Sequence, residues 1–306
     1  MTNSSMQEAV NQGTQGDAAK ERGDFATAAT HYGEAAGLFR KLGYEELLAE
    51  VLNEQGYAVL QLGDFASAAT HHGEAAGLFR KLGDDIGLAR SLYSQGYAAV
   101  CLGDFASAAT HYAEAAKLFR KLGDDTGLAL ALFGQGDAAG ELGDFASIAT
   151  HYAEAAKLYR KLGDDTGLAW ALYNQGYAAL QLDDFATAAT HYAEAAELFR
   201  KLDDDQCLAD ALTEQSKAAL QLGDFATATT QYAEVTDLYR RLSDDTGLAW
   251  ALYNQGGAAG LSGDLASATI HFDEAARLFR KLGDDEGVAR TRDLQAVLAE
   301  QQDGQN

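Results

Sequence analysis

The sequence predicts an all-α solenoid of about seven helix-turn-helix repeats closed by a C-terminal capping helix. Three observations carry this. The phrase Gly-Asp-Phe, intact or degenerate, returns every 40 residues along a 306-residue chain. Each 40-residue unit holds two apolar stripes at helical spacing. Proline is absent and glycine numbers 32, a balance that suits helices separated by tight turns.

The intact phrase begins at Gly23, Gly63, Gly103, Gly143 and Gly223, and degenerate copies begin at Asp183 and Gly263. Second helices are therefore expected to start near Asp24, Asp64, Asp104, Asp144, Asp184, Asp224 and Asp264, each aspartate serving as the N-cap. In the fifth unit, Phe185, Ala188, Ala189, Tyr192, Ala195, Ala196, Phe199 and Leu202 fall on one stripe. Ala169, Leu172, Gly176 and Ala179 mark one face of the shorter first helix. Arg200 and Lys201 stand in the last turn, where cations offset the helix dipole. A glycine such as Gly163 then ends the long helix in most copies, and an aspartate pair such as Asp164 and Asp165 caps the next. The opening helix is expected over Val10–Arg22 and the capping helix over about 286–300, with 301–306 frayed. Two helices of this size cannot bury their apolar faces alone, so the units must stack. On this reading residues 1–306 are one array, without room for a separate catalytic or effector domain.

A 40-residue period also admits HEAT or armadillo units. The small-residue pattern resembles the tetratricopeptide repeat instead. Counted from Ala169, the family's glycine falls on Gly176, its first alanine on Ala188, its aromatic on Tyr192 and its second alanine on Ala195. Gly16, Gly56, Gly96, Gly136 and Gly256 fill the glycine position elsewhere, with Ser216 once. Tyr32, Tyr112, Tyr152, Tyr232 and Phe272 fill the aromatic position, with His72 once. The family's early Trp is Leu172 here, its Leu is Gln175, its later Tyr is Ala179 and its Pro is Arg200. Losing the Pro lets the second helix run on, which creates the longer unit. Such units resemble those of Pins-type spindle-orientation scaffolds and, more loosely, kinesin light chains and bacterial repeat regulators. The resemblance implies a right-handed superhelix whose first helices line a concave groove where partner peptides lie.

Comparing copies within the chain locates the variable surface. Leu102–Ala129 and Leu142–Ala169 differ at 2 of 28 positions, whereas the next twelve residues differ at six. Those six pairs are Leu130/Trp170, Phe133/Tyr173, Gly134/Asn174, Asp137/Tyr177, Gly140/Leu180 and Glu141/Gln181, all on a single face of the first helix. A uniform scaffold bearing one variable stripe is the pattern of a binding surface. The stripe carries Tyr57, Tyr93, Tyr97, Phe133, Trp170, Tyr173, Tyr177, Trp250 and Tyr253, residue types enriched at interface hot spots. Arg90, Asp137, Asn174, Asp210, Asn254 and Arg290 supply its polar register. The same rings could instead pack across successive first helices, and the two roles are compatible.

Composition narrows the function further. With 23 basic and 46 acidic side chains the net charge is −23, which disfavours nucleic acid and anionic membrane as partners. It favours a basic or amphipathic protein or peptide. No apolar run has membrane-span length, and the N-terminus lacks the features of a secretory signal, so a cytoplasmic location is expected. Cys101 and Cys207 form no CxxC pair. Gln15, Gln55, Gln95, Gln135, Gln175, Gln215 and Gln255 occupy a position usually given to Leu; bonding to neighbouring backbone or water is expected, and an amide ladder lining the groove is the alternative.

Two periodic features imitate chemistry. His31, His71, His111, His151, His191 and His271 recur with the period, Gln231 filling the missing place. Equivalent residues on stacked helices are too far apart to converge on one metal ion, so half-exposed packing is expected and no metal. The Asp pairs lack the calcium-loop spacing and read as caps. No phosphate loop, nucleophile elbow or Cys/His dyad motif occurs. The expectation is therefore a non-catalytic interaction scaffold without cofactor, monomeric or weakly self-associating. A signalling-peptide receptor and a self-assembling structural array are the competing readings.

Overall fold

The computed structural model describes residues 2–303, and among these every regular element is an α-helix. The chain divides into two compact units, Met1–Leu162 and Gly163–Asn306. The first holds α1 (Thr2–Glu21), α2 (Phe25–Leu42), α3 (Glu45–Gln61), α4 (Phe65–Leu82), α5 (Asp85–Cys101), α6 (Phe105–Leu122), α7 (Asp125–Glu141) and α8 (Phe145–Leu162). The second holds α9 (Asp165–Gln181), α10 (Phe185–Lys201), α11 (Asp205–Gln221), α12 (Phe225–Leu242), α13 (Asp245–Leu261), α14 (Leu265–Leu282) and α15 (Asp285–Asp303). Within each unit a helix packs chiefly on the one before and the one after. The fold is an all-α helical repeat solenoid.

Helix α1 starts at Thr2, well ahead of the expected Val10, because nothing between these residues breaks a helix. Helix α15 likewise continues through Gln301 to Asp303, where fraying was expected; residues 304–306 lie outside the described residues.

Each even-numbered helix begins at an aspartate that satisfies an otherwise orphaned backbone donor. Asp24 accepts from the Thr27 N–H at 3.1 Å, and Asp64, Asp104, Asp144, Asp184, Asp224 and Asp264 repeat the contact three residues downstream. The Thr or Ser hydroxyl and N–H at that position hold these carboxyls below their ordinary range. Asp164 caps α9 in the same way, accepting from Gly167 at 2.9 Å.

The core is built from one ring and several alanines drawn from three consecutive helices. Tyr112 of α6 lies with Ala99 of α5, Ala108 of α6 and Ala138 of α7. Tyr192 lies with Ala179, Ala188 and Ala218. Small residues let the helices approach until the ring fills the gap, as close packing requires. A methyl added at Gly96 would sit 2.8 Å from the Tyr112 ring, and one at Gly136 would sit 2.7 Å from Tyr152. A second register of close approach, invisible in the sequence pattern, joins Gly87 to Phe79, Gly127 to Phe119 and Gly247 to Tyr239, where an added methyl would stand 2.5 Å from each ring.

Outside the core, two ladders of ion pairs tie neighbouring repeats together within each unit. Arg40 pairs with Glu74 at 2.5 Å, Arg80 with Glu114 at 2.6 Å and Arg200 with Glu234 at 2.8 Å, always 34 residues ahead. Lys81 pairs with Glu45 at 2.5 Å and Lys201 with Asp165 at 2.5 Å, always 36 residues back, and Lys121 with Asp85 follows the same rule. These pairs are solvent-exposed, so each contributes only about 0.2–1 kcal/mol.

Candidate binding face

The variable stripe lies on the odd-numbered helices, and residues at its successive levels differ in how far they reach solvent. In the second unit, Trp170 of α9 stays 39% exposed while packing edge-to-face on Phe199 of α10 at 5.3 Å and on Tyr173 at 5.7 Å. Tyr173 is half-buried against Tyr192, centroids 5.2 Å apart, and Tyr177 one turn on is exposed. Asn174 is half-buried beside them. The pattern returns on α13: Trp250 packs on Phe279 at 4.9 Å and Tyr253 at 5.6 Å, while Tyr253 meets Phe272 at 5.8 Å. Arg290 of α15 lies over the Trp250 ring at 5.8 Å and pairs with Glu286 at 2.6 Å. Asn254 is half-buried. Between the two tryptophans' helices, Asp210 of α11 accepts from the Tyr239 hydroxyl at 3.1 Å. Burial pushes its carboxyl above the ordinary range, the Tyr239 and Gln206 hydrogen bonds oppose this, and nearby Glu214 and Asp204 add to it.

In the first unit the stripe carries tyrosine and phenylalanine and no tryptophan. Tyr93 packs on Tyr112 at 5.5 Å, and Phe133 packs on Tyr152 at 4.9 Å, so both are anchored in the core. Tyr57 and Tyr97 are 42% and 45% exposed, and Tyr57 meets Phe25 edge-to-face at 6.1 Å. Arg90 projects into solvent from α5. Asp137 accepts a hydrogen bond from the Tyr152 hydroxyl. It keeps an edge in solvent, yet the protein mass around it raises its carboxyl above the ordinary range. Packing and display thus coexist on this face. The rings at the Tyr93 level hold the helices together, and those at the Trp170 and Tyr177 levels are presented.

The second repeat departs from this scheme, with consequences that extend beyond the His72 exception seen in the sequence. Here His72 replaces the core tyrosine and is 1% exposed. Its Nδ1 lies 3.0 Å from Asn53 Oδ1, which also accepts from Ser91 Oγ at 3.0 Å. Oδ1 can only accept, so Nδ1 carries the proton and Nε2 keeps its lone pair. Nε2 is buried without a hydrogen-bond partner. An orphaned acceptor of this kind costs about 1–3 kcal/mol. Burial lowers the His72 pKa to about 4, with neighbouring His71 adding to the shift, so the ring is neutral at physiological pH.

Around this polar trio the face opens into cavities. One of about 390 Å³ runs from Asp17 and Lys20 past Glu50 to Asp84 and Arg90. A second, of about 470 Å³, is bounded by Lys20, Phe25, Glu54, Tyr57 and His72. A third, of about 370 Å³, lies between Arg90, Tyr93, Phe119 and Leu130. Asn53 contributes to all three. Sequence reasoning missed Asn53, Lys20 and Glu54 because it sought aromatics. The available signal was that Asn53 is polar at a level held by a ring in Tyr93, Phe133, Tyr173 and Tyr253.

The periodic polar rows resolve into packing. Gln175 and Gln255 are buried; Gln175 Nε2 donates to Ala171 O at 3.4 Å, and Gln255 Oε1 accepts from Thr236 Oγ1 at 3.2 Å. The six repeating histidines are half-buried, and burial lowers the pKa of His71, His111, His151, His191 and His271. Among the described residues no three His, Cys, Asp or Glu side chains converge as metal ligands, and no helix is long and apolar enough to cross a membrane. Cys101 and Cys207 are free thiols, and burial pushes the second up to about 12, away from reactivity.

Residues 87–161 match the family model of the tetratricopeptide repeat. No curated protein matches the chain at the level of sequence. Among solved structures it is similar to a signal-transduction ATPase of the STAND class with a tetratricopeptide repeat sensor from Pyrococcus horikoshii, with TM-score 0.72 and 17% identity. That alignment covers 94% of this chain and 44% of the ATPase. It is also similar to the apo form of RapI, with TM-score 0.62 and 13% identity over 90% of this chain and 99% of RapI. A third neighbour is YrrB, described as a tetratricopeptide repeat protein with an unusual peptide-binding site, with TM-score 0.54 and 17% identity over 71% of this chain and 96% of YrrB. The chain therefore has the fold of tetratricopeptide repeat proteins, and its segment 87–161 carries that repeat's sequence signature.

Proposed function

We propose that the protein is a non-catalytic interaction scaffold that holds a peptide or helical segment of a partner against the face formed by its odd-numbered helices. The observation that carries this is the coincidence of variability with display. Among the positions that change between otherwise near-identical repeats, those of Leu130/Trp170, Asp137/Tyr177 and Glu141/Gln181 are exposed, and Trp170 and Tyr177 present their rings to solvent there. A scaffold has no use for variation there unless something reads it. The peptide-binding site named for YrrB supports the same reading for a chain of this fold.

The partner is basic or amphipathic, because a net charge of −23 attracts such a segment and repels nucleic acid and anionic membrane. The scaffold works in the cytoplasm as a monomer or weak self-associate, and neither cofactor nor metal takes part. Substituting Trp170→Ala and Trp250→Ala together tests the idea. Both rings lie partly in solvent, so helicity by circular dichroism should persist while partner captured from a lysate falls about tenfold or more. Capture that is unchanged with the fold intact would refute the assignment. Raising salt should weaken capture if charge steers the encounter. A receptor for a short signalling peptide is the second reading, favoured by the likeness to a sensor array. Light scattering over a concentration series separates both from a self-assembling array.

A further inference from the structure

We propose that the cavity between α5, α6 and α7 is a socket for an aromatic side chain of the partner segment, whose ring takes over Phe119 the place that Trp170 and Trp250 fill in their own repeats. The proposal rests on the odd-helix face being the binding surface, and names one residue class that the partner brings to it.

The second unit shows such a socket filled. Trp250 lies edge-to-face on Phe279 at 4.9 Å and on Tyr253 at 5.6 Å, with Arg290 over its ring at 5.8 Å. Trp170 lies on Phe199 and Tyr173 in the same manner. At equivalent positions in the first unit the same walls recur, Tyr93 for Tyr253, Phe119 for Phe279, Gly127 for Gly287 and Leu130 for Arg290. The floor is laid alike, since a methyl added at Gly127 would stand 2.5 Å from the Phe119 ring and one at Gly287 2.4 Å from Phe279. Only the indole is missing, because its position holds Arg90. What remains is an opening of about 370 Å³. A dry cavity of about 150 Å³ already accommodates benzene, so a bicyclic ring has room. Phe119 is 5% exposed, whereas Phe199 and Phe279 under their tryptophans are 1% and 0% exposed.

Charge selects a ring over other apolar groups. Arg90 is exposed and makes no ion pair or hydrogen bond among the described residues, although the chain has 46 acidic side chains to choose from. A guanidinium without a carboxylate partner is complementary to the electron-rich face of an incoming ring. Arg290 already meets Trp250 in this way. Turning Arg90 outward over the ring breaks no polar contact, so the socket opens at little cost. An aliphatic side chain would fill part of the space but offer the guanidinium no π face. Leu130, 41% exposed at the edge of the opening, covers the ring from the α7 side.

The test uses the full chain with its leucine methyl groups isotopically labelled, titrated with indole and with cyclohexanol, an apolar probe without a π face. The readout is the Leu130 methyl resonance, assigned by its absence in Leu130→Met. Indole should shift it saturably, with half-saturation on the order of millimolar. Cyclohexanol should bind at least about threefold more weakly. Arg90→Trp supplies the ring from the chain itself, and should abolish the indole response while raising the urea midpoint of unfolding. Arg90→Gln keeps a long side chain, loses the charge, and should weaken indole binding about twofold to fivefold. The proposal is overturned by the lack of a saturable shift, by an equal response to cyclohexanol, by a lowered urea midpoint in Arg90→Trp, or by undiminished binding in Arg90→Gln. The variant carrying Trp170→Ala and Trp250→Ala should keep the Leu130 response. Unchanged partner capture by that variant speaks only against the wider reading, and a missing Leu130 response speaks only against the socket.

Discussion

The two units solve the same packing problem with different residues at the binding face. Around Tyr192 the second unit stacks Tyr173 and Trp170 into a continuous run of rings. Around His72 the first unit substitutes a hydrogen-bonded trio and leaves open space beside it. The helix boundaries and caps are nearly the same in both. The buried rings Tyr112, Tyr152, Tyr192 and Phe272 each carry a further ring at the level above, whereas the imidazole of His72 has polar neighbours and a cavity beside it.

Transplanting the imidazole is the strongest way to break this comparison. Tyr192→His should destabilise the chain by about 2–4 kcal/mol in urea unfolding, because it removes ring packing and leaves the new polar edge unpartnered. Adding Tyr173→Asn and Ala211→Ser rebuilds the trio at equivalent positions and should recover about 1 kcal/mol or more. If the triple variant is no more stable than the single one, the trio is not what makes His72 tolerable.

A second test uses pH. The His72 pKa falls from an ordinary 6.5 to about 4 on burial, so between those values the unfolded chain holds a proton that the folded chain does not. Stability from this group is complete above about pH 6.5 and is lost as pH falls toward 4, by roughly 2 kcal/mol at pH 5. His72→Phe, the residue class found at Phe272, removes the linkage. The stability difference between variant and native chain, measured near pH 7.5 and again near pH 5, should shift in the variant's favour by that amount. An unchanged difference would mean that the ring is not held neutral.

The smallest expected effect separates the units by backbone. At the helix-ending and turn positions the first unit places glycine throughout, from Gly23 to Gly143, whereas the second holds Asp183, Asp203 and Ser243 at φ of 58°, 56° and 56°. A side chain in that region carries a steric penalty, and α10 ends at Lys201, one residue short of its counterparts. Asp203→Gly should stabilise by about 1 kcal/mol or somewhat less, since added freedom in the unfolded chain offsets part of the gain. A fall in melting temperature would contradict this.

The repeat length and the seven capping aspartates were legible in the sequence from spacing within one unit, and the glycine and aromatic positions such as Gly96 and Tyr112 from the resemblance to the tetratricopeptide repeat. The aromatic stripe was legible as a helical face, although its division into packed and presented levels was not. Tyr93 and Tyr97 have equal standing in the sequence, and only the position of Tyr112 sinks the first and frees the second. The ion-pair ladders and the Asn53–His72–Ser91 trio were not legible at all. Their partners stand 34, 36, 19 and 38 residues apart, separations that acquire meaning once the stacking geometry is known.

The ladders also bear on how such a chain can change in length. Because Arg80 reaches Glu114 and Arg120 reaches Glu154 by the same offset, excising 105–144 would hand Arg80 to Glu154 with the junction chemistry unaltered. Gain or loss of a whole copy is thus silent at the seams, whereas gain or loss of a few residues inside one would put every later contact out of step. Duplication in whole blocks is the route of growth that this architecture leaves open.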